Sequence, residues 1–542
     1  MIARIRAWET LESIGRQEHT RSFPPWGPSF SAKRSQISLR RESPLSLANV
    51  PCLGALRFFS FSIPRLPQVD GTLATSRQAR VSLRGSRINV PVLSSSVMDT
   101  LMTHRLIRRD FLRTGAALLA LGMAGRRAVA VDANSKLRTA HIGVGGMGGA
   151  DLGSIASHGS VEVAALCDVD SGNLDGAAGS FPNAKKFKDF REMITAMGDT
   201  IDAVVVSTPD HTHAPAAMTA MLAGKPVYCQ KPLTHEVFEA RKLRLFAEEK
   251  KLVTQMGIQV HSSSVYRRAV QMIQSGVIGK VSQVHAWSNK NWGYDGPAFE
   301  GDHKVPGKLD WNLWLGTTKE RPFVPGVYHP GNWRKLIDFG TGTLGDMGVH
   351  IFDTPYAALE LTTPKWAKTT CRAPTGVGHP EENIVEYEFP ATKHTTESLS
   401  WKWYDGGFAP PKSEALQLPA GLNLPGQGAL FVGEGGYMLL PHVGEAVLFP
   451  QEKFKDYVPP QVEDQNHYHQ WVDACMGKGT TSAPFSYGGP LTESLLLGVV
   501  ANRYPDTKLM WDAEKLEVTN LAEANQLIKR EYRDGFKVEG LS

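Results

Sequence analysis

The stretch LRTAHIGVGGMGGADLGSIASHG, residues 137–159, runs from an apolar strand directly into a glycine-rich turn and then into a helix. In the spacing G-x-G-x-x-G the first glycine permits the tight turn, the second admits a pyrophosphate, and the third lets helix pack on strand. The positive end of the following helix then meets the phosphates. We therefore predict a Rossmann-type dinucleotide-binding domain. Five residues of the turn are expected to line the cofactor: Gly143, Gly145, Gly146, Met147 and Gly148.

A second apolar strand, VEVAALCDVD at residues 161–170, delivers Asp168 at its end, 20 residues beyond Gly148. A carboxylate at that place accepts both ribose hydroxyls and repels a 2′-phosphate. NAD is therefore the expected cofactor, and NADP is less favoured. A glycine-rich turn in an unrelated α/β domain is the alternative interpretation of these two strands.

Residues 200–257 continue the alternation of strands and helices, with the apolar runs DAVVVST and PVYCQ that are typical of buried parallel strands. The dinucleotide-binding domain is accordingly predicted over residues 131–256. Ligands of such sheets bind outside the carboxyl ends of the strands. That rule places five further residues beside the cofactor: Thr208, Pro209, His213, Gln230 and Lys231. Lys231, inside Q-K-P, is the strongest functional candidate, although a lysine at a sheet end is more often solvated surface.

No metal site is expected from this sequence. His211 and His213 have no carboxylate or cysteine ligand beside them in the loop that follows Pro209. The five cysteines are scattered and contain no C-x-x-C pair.

A second glycine-rich run, FGTGTLGDMGVHIFD at residues 339–353, carries Asp346 and His350 four positions apart. On an α-helix that spacing stacks the two side chains on one face, one turn apart. Glycine is a poor helix former, so the glycines around them indicate a close backbone approach rather than ordinary packing. The alternative is a capped helix with a satisfied core histidine.

The chain from about Leu137 to Tyr504 resembles the glucose–fructose oxidoreductase, inositol dehydrogenase and rhizopine-catabolism (Gfo/Idh/MocA) oxidoreductases. The matching pieces are GVGGMG, CDVD, STPDHTHAP, QKPLTHE and GTLGDMGVHIFD, in the family's order. The resemblance implies that Lys231 is the catalytic lysine and that Asp346 and His350 are the family's D-x-x-x-H pair. The family's usual E-K-P stands here as Q-K-P, which removes a charge near the lysine.

The resemblance also implies a second domain, residues 257–542, of α+β type with a large, mostly antiparallel open sheet, through which relatives often form dimers or tetramers. Three stretches alternate apolar and polar residues as strands of a one-sided sheet do: KVSQVHAWSNK, ENIVEYEFP and TTESLSWKWYD. The helical stretch LTESLLLGVVANRY is expected to pack back on the first domain. The Gly- and Pro-rich segment 405–428 is expected to be an inserted loop.

Oxidation of a secondary alcohol needs a base for the hydroxyl proton and an acceptor for hydride. His350, with an ordinary pKa near ~6.5, is expected to take the proton. Asp346 is expected to orient the imidazole or bind a neighbouring hydroxyl, and Lys231 to stabilise the developing alkoxide. A tightly held NAD takes the hydride. Two rivals stay open: an NAD-dependent glycoside hydrolase or lyase acting through transient oxidation, and a non-catalytic NAD- or sugar-binding protein.

Residues 310–340 are dense in tryptophan, tyrosine and arginine. Aromatic faces pack against the C–H faces of sugars, so this composition favours a sugar, glycoside or polyol as substrate. Trp333 and Arg334, just ahead of the glycine run, and His261 in GIQVHSS are the candidate substrate contacts. For any single tryptophan a core position is the alternative.

Basic residues are concentrated at the start of the chain: residues 1–130 hold 20 Lys and Arg against 7 Asp and Glu, whereas residues 131–542 hold 39 against 47. An acidic body does not attract phosphate backbones, so nucleic acid is not an expected partner.

The sequence IRRDFLR, residues 107–113, is followed by the apolar stretch TGAALLALGMAG and by RRAVA. A twin arginine, a short apolar stretch and an A-x-A ending predict a signal over residues 98–130 for the twin-arginine export machinery, and hence a periplasmic location. Residues 1–97 are expected to be disordered or untranslated, with synthesis beginning at Met98 or Met102 and cleavage after Ala130. A retained signal acting as an anchor, or a buried helix preceded by chance arginines, is the alternative.

Overall fold

The computed structural model describes residues 136–411, 416, 418–419 and 422–542. The first sheet contains six strands: β1 (Leu137–Ile142), β2 (Val161–Cys167), β3 (Lys185–Phe187), β4 (Ala203–Val206), β5 (Val227–Gln230) and β6 (Thr254–Gly257). Five helices alternate with them: α1 (Met147–Ala156), α2 (Ser171–Ser180), α3 (Phe190–Met197), α4 (Asp210–Leu222) and α5 (Val237–Lys250).

All six strands are parallel and lie in the order β3-β2-β1-β4-β5-β6. Every residue of β4 and of β5 is buried, as the continuous apolar runs require of strands covered by helices on both faces. This order is that of a doubly wound dinucleotide fold, in which the crevice for the ligand lies at the carboxyl ends of the strands. The ends of β1, β4 and β5 therefore share one edge.

The second sheet contains nine strands: β7 (Val281–Ser288), β8 (Trp366–Thr370), β9 (Ile384–Pro390), β10 (Thr395–Asp405), β11 (Gln427–Gly433), β12 (Gly436–Pro441), β13 (Val447–Phe449), β14 (Leu509–Asp512) and β15 (Glu517–Val518). Their order is β13-β12-β11-β7-β10-β9-β8-β14-β15. Only the pair β7 and β10 is parallel among these strands. The predicted class, a parallel Rossmann sheet plus a mostly antiparallel second sheet, is confirmed.

Each of the three stretches expected to form strands does so, as β7, β9 and β10. In β9 the buried residues are Val385, Tyr387 and Phe389, and the residues between them are partly exposed. This alternation buries one face of the sheet against the helices of the second half. Those helices are α6 (Ser264–Gln274), α7 (Trp311–Leu315), α8 (Val349–Ala358), α9 (His467–Cys475) and α10 (Phe485–Ala501), with a π-helical segment at Leu344–Gly348 and 3₁₀ turns at Gln259–Ser262, Asn332–Lys335, Gln451–Phe454 and Ala522–Leu527.

The chain returns to the first domain after the second sheet. Helix α10, the stretch expected to pack back, lies against α5. Helix α9 places Tyr468, Trp471 and Val472 in the apolar cluster that also contains residues of β1 and β2. The tail joins α5 as well, since Phe238 N–H donates to the Ile528 carbonyl at 3.0 Å. At the predicted boundary after residue 256 the chain leaves the first domain. It returns later, and residues after 467 complete the core of that domain.

The described residues of the segment expected to be an inserted loop pack against the second sheet. Leu416 is buried in one cluster with Trp287, Tyr404 and Leu430, and the Trp287 indole donates to the Pro425 carbonyl at 2.7 Å. The predicted export signal at 98–130 and the segment 1–97 lie outside the described residues. Within the described part of the chain, no helix has the length and apolar character needed to cross a membrane.

Candidate active site

The glycine turn after β1 has the geometry that dinucleotide binding demands. Gly143 has φ of +79°, and a Cβ there would lie 2.5 Å from the Ser207 carbonyl oxygen. A Cβ at Gly148 would lie 2.2 Å from the Gly143 carbonyl oxygen, so only glycine permits the turn and the helix to meet. Helix α1 has no side-chain cap and no acidic residue in its first turn. The Gly148 N–H already donates to the Gly145 carbonyl at 2.9 Å, so the N–H groups offered to a phosphate are those just ahead of it, and the turn fits a pyrophosphate.

Asp168 follows β2 and faces the same turn. One carboxylate oxygen accepts the Val144 N–H and the other accepts the Asp170 N–H, both at 2.9 Å. Burial raises the pKa of Asp168. The oxygen that accepts the Val144 N–H is also approached by the Asn173 amide at 3.5 Å. The other oxygen keeps a second lone pair, so the carboxylate fits the predicted role on the ribose hydroxyls. Asn173, which the sequence did not single out, lies over the turn, since a Cβ at Gly145 would come within 2.3 Å of its amide nitrogen.

His213 holds two loops of this edge together. It lies in the first turns of α4, which begins directly after Pro209, rather than in the loop expected there. Its Nδ1 lies 2.8 Å from the Pro232 carbonyl oxygen and its Nε2 lies 2.8 Å from the Thr208 carbonyl oxygen. The ring is fully buried and has no free nitrogen for a cofactor. The ring therefore positions the loops that carry Thr208 and Lys231, and its predicted cofactor contact stays a prediction.

Gln230 also points away from the expected cofactor contact. Its amide donates to both carboxylate oxygens of Asp151, at 2.9 and 3.1 Å, and its carbonyl accepts the Lys231 N–H at 3.1 Å. Asp151 further accepts the Ser207 hydroxyl at 2.7 Å and the Tyr468 hydroxyl at 3.0 Å. Burial raises the pKa of Asp151 to about 6 despite these donors. The buried cluster fixes the end of β5, so Gln230 is a positioning residue.

Lys231 turns toward the second glycine run and meets Asp346. Its Nζ donates to the Asp346 Oδ1 at 2.8 Å and to the Asp346 carbonyl at 2.9 Å. The Arg334 Nε donates to the same Oδ1 at 3.3 Å. Burial alone would raise the pKa of Asp346, but Lys231, Arg334 and Lys290 together hold it well below its usual range. Asp346 is therefore a carboxylate at every pH at which the protein is expected to work.

The segment that carries Asp346 is wider than an α-helix. Residues Leu344–Gly348 form a π-helix that leads into α8, and π-bulges are frequent at functional sites. Among the described residues no hydrogen bond or ion pair joins Asp346 to His350. The expectation that Asp346 orients the imidazole is therefore corrected, since the carboxylate contacts the Lys231 ammonium and orients that group instead.

His350 stands beside this ion pair as a neutral base. Burial, Lys231 and His442 hold its pKa well below the usual value, although Asp346 opposes them. The ordinary histidine pKa assumed from the sequence does not apply here. Its Nδ1 is buried without a hydrogen-bond partner, which leaves Nε2 as the ring atom that a substrate can reach.

His442 and Tyr266 complete the site and were missed from the sequence. The His442 ring centroid lies 5.9 Å from that of His350. The Tyr266 hydroxyl oxygen accepts the Val443 N–H at 2.9 Å and lies 2.7 Å from the His442 Nδ1. Burial and nearby lysine ammonium groups lower the pKa of His442 to about 4. His442 follows β12 in a loop almost a hundred residues from His350, and no local motif marks it.

The three residues predicted to contact the substrate lie in different environments. Trp333 is buried in a cluster with Trp314 and Phe339, so the core alternative is the correct one for it. Arg334 lies over the Trp333 ring, 4.3 Å from its centroid, and binds Asp346, which places it in the site.

His261 lies in another network. Its Nδ1 is 2.8 Å from an Asp353 carboxylate oxygen, which also accepts the Tyr487 hydroxyl at 2.7 Å. Burial opposes protonation, yet Asp353 raises the pKa of His261. Its substrate contact stays a prediction. Within the described residues there is no group of three or more His, Cys, Asp or Glu side chains that could hold a metal ion.

Two family models match this chain. Residues 137–258 match the model described as "Oxidoreductase family, NAD-binding Rossmann fold" and residues 264–362 match "Oxidoreductase family, C-terminal alpha/beta domain", both of the GFO_IDH_MocA group. The NAD-binding nature predicted for the first domain is thereby confirmed, and both matched regions are similar to the family that the motifs resemble. The second glycine run and its Asp346–His350 pair fall inside the second match.

Proteins similar to this chain include inositol 2-dehydrogenase of Salmonella paratyphi B, 29% identical over 153 residues, or 28% of this chain and 45% of that protein. Inositol 2-dehydrogenase 2 of Saccharopolyspora erythraea is 33% identical over 181 residues, or 32% of this chain and 52% of that protein. The chain thus spans about half the length of the curated relatives it matches. A solved inositol dehydrogenase homolog of Azotobacter vinelandii, complexed with NADH and myo-inositol, aligns with a TM-score of 0.46 at 16% identity over 70% of this chain and 98% of that chain.

Proposed function

We propose that this chain, which carries both domains of the Gfo/Idh/MocA oxidoreductase family, transfers hydride between NAD and a secondary alcohol of a sugar, glycoside or polyol. The observation that carries the proposal is the contact of the Lys231 ammonium with Asp346 at 2.8 Å, next to the neutral imidazole of His350. Lys231 leaves β5 at the edge of the sheet that also carries the glycine turn. An alkoxide-stabilising cation and a base thus lie at the cofactor end of the fold.

The lysine is held with one donor free. An ammonium has three protons, and two of them are used by the Asp346 carboxylate and carbonyl oxygens. The third can donate to the carbinol oxygen of a substrate and stabilise negative charge that develops there. The Asp346 Oδ2 has no hydrogen-bond partner among the described residues, so it can accept a neighbouring substrate hydroxyl. When bound, NAD supplies the hydride acceptor.

His350 accepts the hydroxyl proton at Nε2. Its lowered pKa keeps it unprotonated at neutral pH, and the same cations that lower it also make the alcohol more acidic. Proton transfer therefore depends on Lys231 and His350 acting on one oxygen. Arg334, held over Trp333, is placed to bind a further hydroxyl.

The polyol or sugar class is supported by the relatives' names, which are inositol 2-dehydrogenases, and by this set of donors. The test is to purify the folded protein, extract and identify any bound nicotinamide cofactor, and supply myo-inositol, monosaccharides and aryl glycosides. A rise in NADH absorbance with one of the alcohols is the expected result. Bound NAD with neither NADH formation nor product release from any of them would defeat the proposal and leave a cofactor-holding protein.

A second candidate is redox-neutral glycoside cleavage through transient oxidation. It needs a further acid or base to remove a C–H proton and to protonate the leaving oxygen. His442, held by Tyr266 and adjacent to His350, is such a group. Release of the aglycone from an aryl glycoside without net NADH would select this candidate over the dehydrogenase.

Export and assembly belong to the proposal too. We propose that the protein is folded with NAD in the cytoplasm and carried out by the twin-arginine machinery, because IRRDFLR precedes a short apolar stretch. Cell fractionation should find it in the periplasm with an intact mass starting after Ala130, and replacing Arg108 and Arg109 by lysine should retain it inside. We further propose a dimer or tetramer, which light scattering on the purified protein tests.

A further inference from the structure

We propose that a second ligand site, separate from the alcohol site, takes a small oxyanion with a short apolar body. The site is a cavity of about 170 Å³. It lies between the start of α5, the residues just before the second glycine run, the end of α10 and the C-terminal tail. The test of this site measures ligand binding. Its result therefore does not depend on whether the proposed catalytic activity is correct.

Arg503, directly after α10, supplies the charge. Its side chain is largely removed from solvent and lines the cavity. No described residue hydrogen-bonds or pairs with its guanidinium. Burial without a partner lowers the pKa of this group. An arginine cannot escape the cost by losing its proton, so an anion in the cavity is the direct way to satisfy its donors.

The two carboxylates in the same wall already have partners of their own. The Glu236 Oε1 lies 2.8 Å from the His235 Nδ1, and the Asp338 Oδ2 accepts from Arg321 at 2.5 Å. Neither is within ion-pair distance of Arg503. The lining thus holds two arginines and two carboxylates, and Arg503 is the arginine that neither carboxylate contacts directly.

A second arginine offers a further donor. Arg530 uses its terminal nitrogens on the Asp338 carbonyl, the His211 carbonyl and the Thr317 hydroxyl, at 3.0, 3.0 and 2.8 Å. Its Nε is buried without a hydrogen-bond partner, 3.6 Å from Glu236. Two guanidinium groups facing one cavity fit the oxygens of a carboxylate or phosphate.

The remaining wall is apolar and limits the size of the ligand. Leu496, Val499, Val500 and Leu527 line it. A cavity of roughly 150 Å³ is enough for a molecule the size of benzene. The ligand class is thus a carboxylate or phosphate that carries no more than a few carbon atoms.

The location couples this cavity to the alcohol site. His235 is four residues after Lys231, and its Nε2 lies 3.1 Å from the Gly340 carbonyl oxygen. Gly340 begins the run that leads to Asp346. An anion held by Arg503 would rest on the two segments whose separation sets the distance from Lys231 to Asp346.

The test is calorimetric titration of the full chain, in a buffer without oxyanions, with sodium butyrate and separately with inorganic phosphate. We expect saturable binding of one equivalent of at least one probe, and the better probe identifies the oxyanion. The variant Arg503→Gln should weaken that binding by at least about tenfold, because it removes a charged hydrogen-bond donor. Arg244→Gln is the matched control, since Arg244 sits on the surface of α5 and pairs with Glu248; its binding should equal that of the unaltered chain.

A measurement on the unaltered chain covers the case in which Arg503→Gln does not fold. Hydrogen exchange of residues 231–237 and 337–343 should slow when the bound probe is present. The proposal is overturned if neither probe binds saturably with a dissociation constant of ~1 mM or tighter. Equal binding by the Arg503→Gln and Arg244→Gln variants would overturn it too and would leave a cavity filled by water.

Discussion

Gln230 and Lys231 are adjacent in the chain, yet they reach two carboxylates of opposite character. Gln230 donates to Asp151, which otherwise meets only hydroxyl groups and whose pKa burial raises to about 6. Lys231 donates to Asp346, which also binds Arg334 and whose pKa the surrounding cations hold far below its usual range. One carboxylate lies in the core of the first domain, and the other lies on the π-helical segment that leads into α8.

The difference separates positioning from chemistry. Neutral donors around the buried Asp151 fix the end of β5 without adding a cation there. Cations around Asp346 hold a lysine with one free donor where a substrate oxygen can arrive. Gln230 supplies an amide donor to Asp151, whereas a glutamate at that position would set a second carboxylate against it.

The largest expected effect comes from removing the ammonium. Lys231→Met keeps the volume of the side chain and should lower kcat/KM about 1,000-fold, since one electrostatic donor to a developing oxyanion contributes about 10²–10³. Binding of NAD, followed by cofactor fluorescence, should change little. Lys250→Met, on the exposed side of α5, is the control; equal activity in both variants would remove Lys231 from the site.

The two carboxylates should differ in what they do for turnover. Asp346→Asn leaves Lys231 and Arg334 without their counter-charge and should lower kcat/KM about 100-fold. Asp151→Asn touches only the positioning cluster and should lower it less than about tenfold. Steady-state kinetics of the two variants measures both losses. A larger loss of kcat/KM in Asp151→Asn than in Asp346→Asn would contradict the assignment of positioning to Asp151 and of chemistry to Asp346.

Stability should depend on pH in opposite ways at these two residues. Asp151 has a folded pKa of about 6 against about 3.9 when unfolded, so the native state binds more protons between those values. The free energy of unfolding should therefore fall as pH rises from 4 to 6, by up to about 3 kcal/mol from this group. Urea unfolding should show that slope flattened in Asp151→Asn. Asp346, with its depressed pKa, contributes stability that is lost only below about pH 4.

The second imidazole should have a smaller effect. His442→Ala removes a ring that lies beside His350, and we expect about a tenfold loss of kcat/KM, near the value of one hydrogen bond. Tyr266→Phe leaves the His442 ring in place but removes the hydroxyl that contacts its Nδ1. We therefore expect a loss of kcat/KM in this variant too, smaller than that of His442→Ala. Unchanged kinetics in both variants would confine the chemistry to Lys231, Asp346 and His350.

The smallest expected effect concerns pH and activity. Because the pKa of His350 lies well below 6.5, kcat/KM should change less than about twofold between pH 7 and pH 6. In Lys231→Met one cause of that depression is gone, so the acid limb should move to higher pH. An acid limb at pH 6.5 in the unaltered protein would show that burial and the nearby cations do not lower the pKa of His350.

Local patterns predicted much of the fold. The apolar runs gave the parallel strands, alternation gave β7, β9 and β10, and glycine spacing gave a turn whose steric reasons appear in the distances at Gly143 and Gly148. Each of these patterns is formed by residues that are close together in the sequence. The partner of Gln230, by contrast, lies 79 positions away, and nothing near Gln230 specifies it.

The sequence by itself determined the fold class, the cofactor-binding turn and the identity of Lys231, Asp346 and His350 as candidates, because backbone geometry and binary patterning act over short spans. Only the tertiary structure decided that Asp346 contacts the lysine rather than the histidine, that His442 lies beside His350 and contacts Tyr266, and that Arg503 pairs with no described residue. Those outcomes depend on which distant side chains share a low-dielectric space, and contact and burial are properties of the packed chain.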